Sequence, residues 1–194
     1  VGGNLNATAA ASTITDATGA VLTVGGTTPL ETQGNEAMIT LDTTTNTFTG
    51  AVTITTNDNS GADAHVTISA GPDAALDFST STIDGNLIVT SSFDPVDSDS
   101  NGTISETESN GITDSGTLSV GGVSSFQTSA TNANIVLDTT NNVFTGKVTL
   151  NTTGPSGDAT LDNGTTALVL GTSAASLATS VGGTLKVTSD HASG

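Results

Sequence analysis

Ile39–Ile54 reads ITLDTTTNTFTGAVTI, and Ile135–Leu150 reads IVLDTTNNVFTGKVTL. Eleven of the sixteen positions are identical, 96 residues apart. Self-similarity at a long period is the mark of a repeat architecture. The copies are also informative in themselves. Apolar residues alternate with threonine over three or four positions, then Asp, Asn and Gly interrupt. That is half-buried strand followed by turn, several times in sixteen residues.

Working outward, LTVGG (Leu22–Gly26) and LSVGG (Leu118–Gly122) keep the same offset, and Ile-Thr-Asp recurs at Ile14 and Ile112. A further marker, GGNL at Gly2, DGNL at Asp84 and GGTL at Gly182, divides the chain. The units run 1–83 and 84–181, with 182–194 beginning a third. The marker spacings, 82 and 98, differ because the second unit carries an insertion at about 91–110.

Short strands are expected in the first unit at Val21–Val24, Ile39–Leu41, Val52–Thr55, Val66–Ser69, Leu76–Phe78 and Leu87–Thr90. The second offers Thr117–Val120, Ile135–Leu137, Val148–Leu150, Thr160–Asp162, Leu168–Leu170 and Leu185–Thr188. No long stripe of 3.6-residue period exists, so the fold class is all-β. Short strands, frequent turns and repetition fit a parallel β-helix solenoid in one elongated domain. Tandem β-sandwich domains are the alternative, and they lack the aromatic anchor such domains use.

Composition narrows function. The 194 residues include no Cys, Trp, Tyr or Arg, and Lys147 and Lys186 are the only strong cations against 19 acidic residues. A formal charge of −17 excludes nucleic acid and anionic membrane as partners. There is no apolar run long enough to cross a membrane as a helix. Val1–Ala20 has no basic segment leading an apolar one, so a secretion signal is expected outside this stretch. Sugar-cleaving β-helices need a base or paired acids and aromatic platforms. With neither Arg nor Tyr nor Trp, no catalytic site is expected.

GNLIVT (Gly85–Thr90), GITDSGTLSVGG (Gly111–Gly122) and NIVLDTTNNVFTGKVTL (Asn134–Leu150) together resemble the repeats of two-partner-secreted, filamentous haemagglutinin-like adhesins. The resemblance runs through nearly the whole chain, once per unit. It implies a right-handed parallel β-helix on a bacterial surface, with a structural role. The chain departs from that pattern where those repeats have a short Gly-rich turn and this one has an acidic insertion.

That insertion holds the one chemical motif. Residues 97–108, DSDSNGTISETE, match the twelve-residue EF-hand loop. Asp97, Asp99 and Asn101 fill positions 1, 3 and 5, and Gly102 makes the sharp turn at 6. Thr103 at 7 would offer its carbonyl, Ser105 at 9 its hydroxyl or a water, and Glu108 at 12 both carboxylate oxygens. Ile104 takes the apolar eighth position. Calcium wants six to eight hard oxygens, which such a loop can aim at one centre. Without a cation the carboxylates repel, so a disordered loop is expected. Pro95 argues against an entering helix, so the loop should project from a β-turn as a stabiliser, not a sensor. Bare acidic loops are common in Asp- and Gly-rich chains and are the competing reading.

Other signals are weaker. Asn57–Asp63, and Asp158 with Asp162, read as polar turns before second cation sites. Thr-rich segments at 43–49 and 53–56 are explained by β-propensity. His65 is expected on an exposed strand, and His191 is too distant to form a cluster with it. Sequons at Asn6, Asn101, Asn151 and Asn163 carry no argument. These observations lead to an extracellular, calcium-stabilised segment of a bacterial fibre or adhesin stalk. Its expected partners are identical segments, head to tail or in a longer chain. A ligand-binding adhesin module that takes a host or matrix ligand, and a calcium-dependent surface-layer protein, are the alternatives.

Overall fold

Ile39 pairs with Ile14 on one side and with Val66 on the other, both in parallel. This arrangement repeats throughout the computed structural model, which describes residues 1–57, 63–171 and 178–192. Every paired strand is parallel to its neighbours, and no helix occurs among the described residues. The chain is a right-handed parallel β-helix of about seven coils; the tandem-sandwich alternative is set aside.

Three short strands make a coil. The first holds β1 (Ala7–Ala9), β2 (Ile14–Thr15) and β3 (Thr23–Val24); the second β4 (Thr28–Thr32), β5 (Ile39–Leu41) and β6 (Thr47–Phe48). The third has β7 (Val52–Thr55), β8 (Val66–Ala70) and β9 (Leu76–Phe78); the fourth β10 (Ser81–Ile83), β11 (Leu87–Ser91) and β12 (Asn110–Asp114). Next come β13 (Leu118–Val120), β14 (Ser124–Thr131) and β15 (Asn134–Leu137), then β16 (Val143–Phe144), β17 (Lys147–Thr153) and β18 (Ala159–Asp162). The last coil contributes β19 (Val169–Leu170) and β20 (Leu185–Thr188).

Side chains that alternate inward form columns. Leu41, Ile68, Val89, Phe126 and Leu150 stack coil on coil, as do Leu76, Ile112, Ile135 and Ala159. All are at most 2 % exposed. Each Val, Leu, Ile or Phe so buried contributes roughly 1.5–3 kcal/mol relative to exposure. Phe126 and Phe144 meet edge to face, ring centres 5.8 Å apart, the packing that suits their quadrupoles.

Corners need polar partners, because the chain turns and its N–H groups leave the ladder. Asparagine amides meet that need. Asn46 Oδ1 accepts from Leu22 N–H at 2.8 Å, Asn142 Oδ1 from Leu118 N–H at 2.8 Å, and Asn163 Oδ1 from Phe144 N–H at 2.7 Å. All three asparagines are fully buried.

The sequence copies do not lie above one another. Ile39 belongs to the face that carries β2, β5, β8, β11, β14 and β17, whereas Ile135 belongs to the next face, with β12 and β18. Ten strands separate β5 from β15, which is three coils and one face. Each repeat is therefore turned by one face relative to its counterpart.

Candidate metal centre

The acidic insertion leaves the solenoid at the corner between β11 and β12. Ser92 N–H and Asp94 N–H tie its outgoing limb to Ala70 and Pro72 of the coil below. On the return, Ser109 N–H bonds Ser105 O, and Ser109 O receives Asn134 N–H of the coil above at 2.7 Å. The ends of the loop are thus fixed by the β-ladder. Phe93, Val96, Ala75 and Thr113 help to line a cavity of about 530 Å³ between loop and body.

Inside the loop, Asp97, Asp99 and Glu108 bring one carboxylate oxygen each within 4.8 Å of the others. Two oxygens at about 2.4 Å from a shared calcium stand at most about 4.8 Å apart, so the spacing fits one ion. Gly102 takes a φ of 87° at the turn, as position 6 requires, and Ser100 a φ of 57°. The loop N–H groups meet the carboxylates. Asp97 accepts from Gly102 N–H at 2.7 Å and from Asn101 N–H at 3.1 Å, and Asp99 accepts from the Asn101 amide at 2.8 Å.

Glu108 closes the ring. Its Oε1 accepts from Ser98 N–H at 2.7 Å and from the Ser98 hydroxyl at 2.6 Å; its Oε2 accepts from Ser105 N–H and hydroxyl, both at 2.8 Å. The Ser98 hydroxyl, followed by these Ser105 bonds, brings its carboxyl down to about 2. It is an anion at any ordinary pH. Ser98, at an unconstrained position of the motif, was not expected to matter.

The other expected ligands are placed differently. Asn101 Oδ1 faces Thr103 N–H at 2.9 Å and its hydroxyl at 2.6 Å, so the amide closes a turn. Ser105 stands beside Glu108. Ile104 stays 51 % exposed. Asp97, Asp99 and Glu108 form a charged cluster of a size that could hold one cation; Asn101, Thr103 and Ser105 would have to reorient to join it.

Elsewhere the acidic candidates serve corners. Asp158 Oδ1 accepts from Thr184 N–H, and Asp162 Oδ1 from Gly164 N–H. The 57–63 candidate lies for the most part outside the described residues. His65 is a half-buried corner residue and not the exposed strand residue expected: its Nδ1 accepts from Asn86 N–H of the coil above at 3.0 Å.

A family described as repeats of unknown function, DUF5649, matches residues 1–55 and 95–151, more than half of the chain. The chain belongs to that family. No curated protein and no solved structure matches it. The two DUF5649 matches each contain one copy of the Phe-Thr-Gly segment, and the second also spans the acidic loop.

Proposed function

We propose that this DUF5649 chain is a structural segment of an extracellular bacterial fibre or adhesin stalk, with a calcium-binding loop as a brace at one corner. The observation that carries the reading is the uninterrupted parallel stack of about seven coils on one apolar core, with no helix among the described residues. A repeat solenoid of this kind is a quasi-one-dimensional element that like units in series extend. The brace rests on the convergence of Asp97, Asp99 and Glu108 between two strands of one coil. The surface charge of −17 favours cations and gives no foothold for nucleic acid.

Electron microscopy and calcium titration test it together. Elongated assemblies in calcium that loosen under chelator, with one ion bound per chain, are expected. Separate particles in both conditions, with no calcium bound, would overturn it and direct attention to a ligand-binding adhesin module.

A further inference from the structure

The sequence holds three Asn-Gly pairs, at Asn101, Asn110 and Asn163. Such a pair carries a reaction of its own. The backbone nitrogen after an asparagine can attack that asparagine's Cγ, and a glycine there puts no side chain in the way and lets the backbone bend to meet it. Whether the attack occurs depends on how the fold holds the amide. Two of the three pairs are locked. Asn163 is fully buried; its Oδ1 accepts from Phe144 N–H at 2.7 Å, and its Nδ2 donates to Phe144 O at 3.3 Å and Thr166 O at 3.0 Å. Asn110-Gly111 begins β12, where pairing with β15 sets the backbone and Gly111 is buried.

Asn101-Gly102 is different. Both residues are exposed in the acidic loop. Gly102 has a φ of 87°, and a Cβ there would meet nothing within 4 Å, so the approach is open. Hydrogen bonds bear on each reacting atom. Asn101 Oδ1 accepts from Thr103 N–H at 2.9 Å and from the Thr103 hydroxyl at 2.6 Å. Two donors on that oxygen draw electron density from Cγ and meet the charge that develops on the oxygen when Cγ is attacked. Asn101 Nδ2, the leaving amine, donates to Asp99 Oδ2 at 2.8 Å. Gly102 N–H, the attacking group, donates to Asp97 Oδ2 at 2.7 Å, which enriches its nitrogen in electron density.

We propose that Asn101 is a self-modification site, which loses its side-chain amide through a cyclic imide formed with Gly102. The Gly102 nitrogen gives its proton to water or hydroxide and bonds to Asn101 Cγ. The Cγ–Nδ2 bond breaks, and ammonia leaves with a proton from water. Water then opens the imide at either carbonyl and leaves aspartate or isoaspartate at 101. Water is the only co-reactant, and nothing is oxidised or reduced. Either product puts a fourth carboxylate beside Asp97, Asp99 and Glu108. The fifth position of the loop motif takes Asp as well as Asn, so the aspartyl form keeps the motif with added charge. The isoaspartyl form carries an extra methylene in the backbone and displaces Gly102 from the turn. That consequence rests on the calcium reading of the loop; the modification does not.

The test holds the full chain at mildly alkaline pH in chelator and maps its peptides by mass spectrometry, with chromatography to separate aspartyl from isoaspartyl products. In the folded chain Asn101 should convert roughly tenfold or more faster than Asn110 and Asn163, because only its amide is free to meet the attacking nitrogen. In urea the three should convert alike. Thr103→Val should slow conversion at Asn101 several-fold and Thr103→Ser should restore it, a pattern that a general loosening of the loop would not give. Equal rates at the three pairs of the folded chain, or an intact Asn101, would overturn the proposal, and a Thr103→Val rate equal to the parent's would remove the part of Thr103. Calcium titration of the parent and of Asn101→Asp keeps the two readings apart. Conversion at Asn101 with calcium bound by neither protein upholds the modification and overturns the calcium reading. Calcium binding with Asn101 intact overturns the modification alone.

Discussion

The Asn142 side chain donates to Asp114 across the stack of coils, Nδ2 to Oδ2 at 2.5 Å, and Asn46 repeats the bond to Asp16 at 2.9 Å. In both corners the aspartate also receives backbone N–H groups, Asp138 and Thr139 on Asp114, Asp42 and Thr43 on Asp16. The corner was duplicated with the sequence. Its two aspartates nonetheless shift in opposite directions, because Asp114 is 8 % exposed and Asp16 only half-buried.

Burial pushes the Asp114 carboxyl up to about 6, and the neighbouring Asp138 adds to the effect against the bonds from Asn142 and Thr139. A carboxyl whose folded value lies above its unfolded one stabilises the fold at low pH. That contribution is whole below about pH 4 and is lost as pH rises through 6. The full span is of order 1–3 kcal/mol. Asp16 runs the other way. Burial raises it, but its bonds from Asn46, Thr43 and Asp42 outweigh burial and hold it low. Its stabilisation is present at neutral pH and fades in acid. Urea unfolding from pH 4 to 7 should therefore show a fall in stability that Asp114→Asn flattens. An unchanged slope in that variant would remove Asp114 from the account.

Asn142→Ala should cost more than Asn46→Ala. The first substitution leaves Leu118 N–H, fully buried, without its acceptor, while Leu22 is only partly buried. An orphaned buried donor costs roughly 1–3 kcal/mol. Chemical denaturation of the two variants checks the order, and equal losses would mean that solvent reaches both corners.

Gly146→Ala should be among the most damaging single methyl additions in the chain, at about 3 kcal/mol or more, since the methyl meets backbone that cannot rotate away. Gly2→Ala meets nothing within 4 Å and serves as the control. Thermal melting separates them. A Gly146→Ala protein that melts with the control would show that the coils can slide apart at that corner without loss.

Much of this architecture is legible in the residues. Ile39–Leu41, Val52–Thr55, Leu76–Phe78 and Leu185–Thr188 declare themselves by apolar alternation, and the strands coincide with them. β14 does not, because its inward positions are Ser124, Phe126 and Thr128, and two polar residues mask the period. The turn of each repeat by one face is also hidden. It depends on coil length, which is 21 residues from Val66 to Leu87 but 37 from Leu87 to Ser124, where the loop intervenes. In the loop, the motif names Asp97, Asp99 and Glu108, and the fold brings their carboxylates together. The part of Ser98 is invisible, since any residue brings its N–H and only the folded turn aims a hydroxyl at Glu108.

Calcium should raise the melting temperature of the chain, and Glu108→Gln should remove most of that rise. Binding to the folded loop alone stabilises by RT ln(1 + [Ca]/Kd), about 2.7 kcal/mol at a hundredfold excess over Kd. Glu108 faces Asp97 and Asp99 with a full negative charge held by Ser98 and Ser105, and the amide replaces that charge by a dipole. Without calcium the variant should unfold at nearly the same denaturant concentration as the parent, because the loop lies outside the stacked core. Ser98→Ala separates charge from geometry. It leaves all three carboxylates in place and loosens only the hold on Glu108, so calcium should still bind, more weakly than in the parent. Isothermal titration of the three proteins decides. If Glu108→Gln takes calcium as tightly as the parent, the ion is held elsewhere and the convergence of the three carboxylates is only a polar turn.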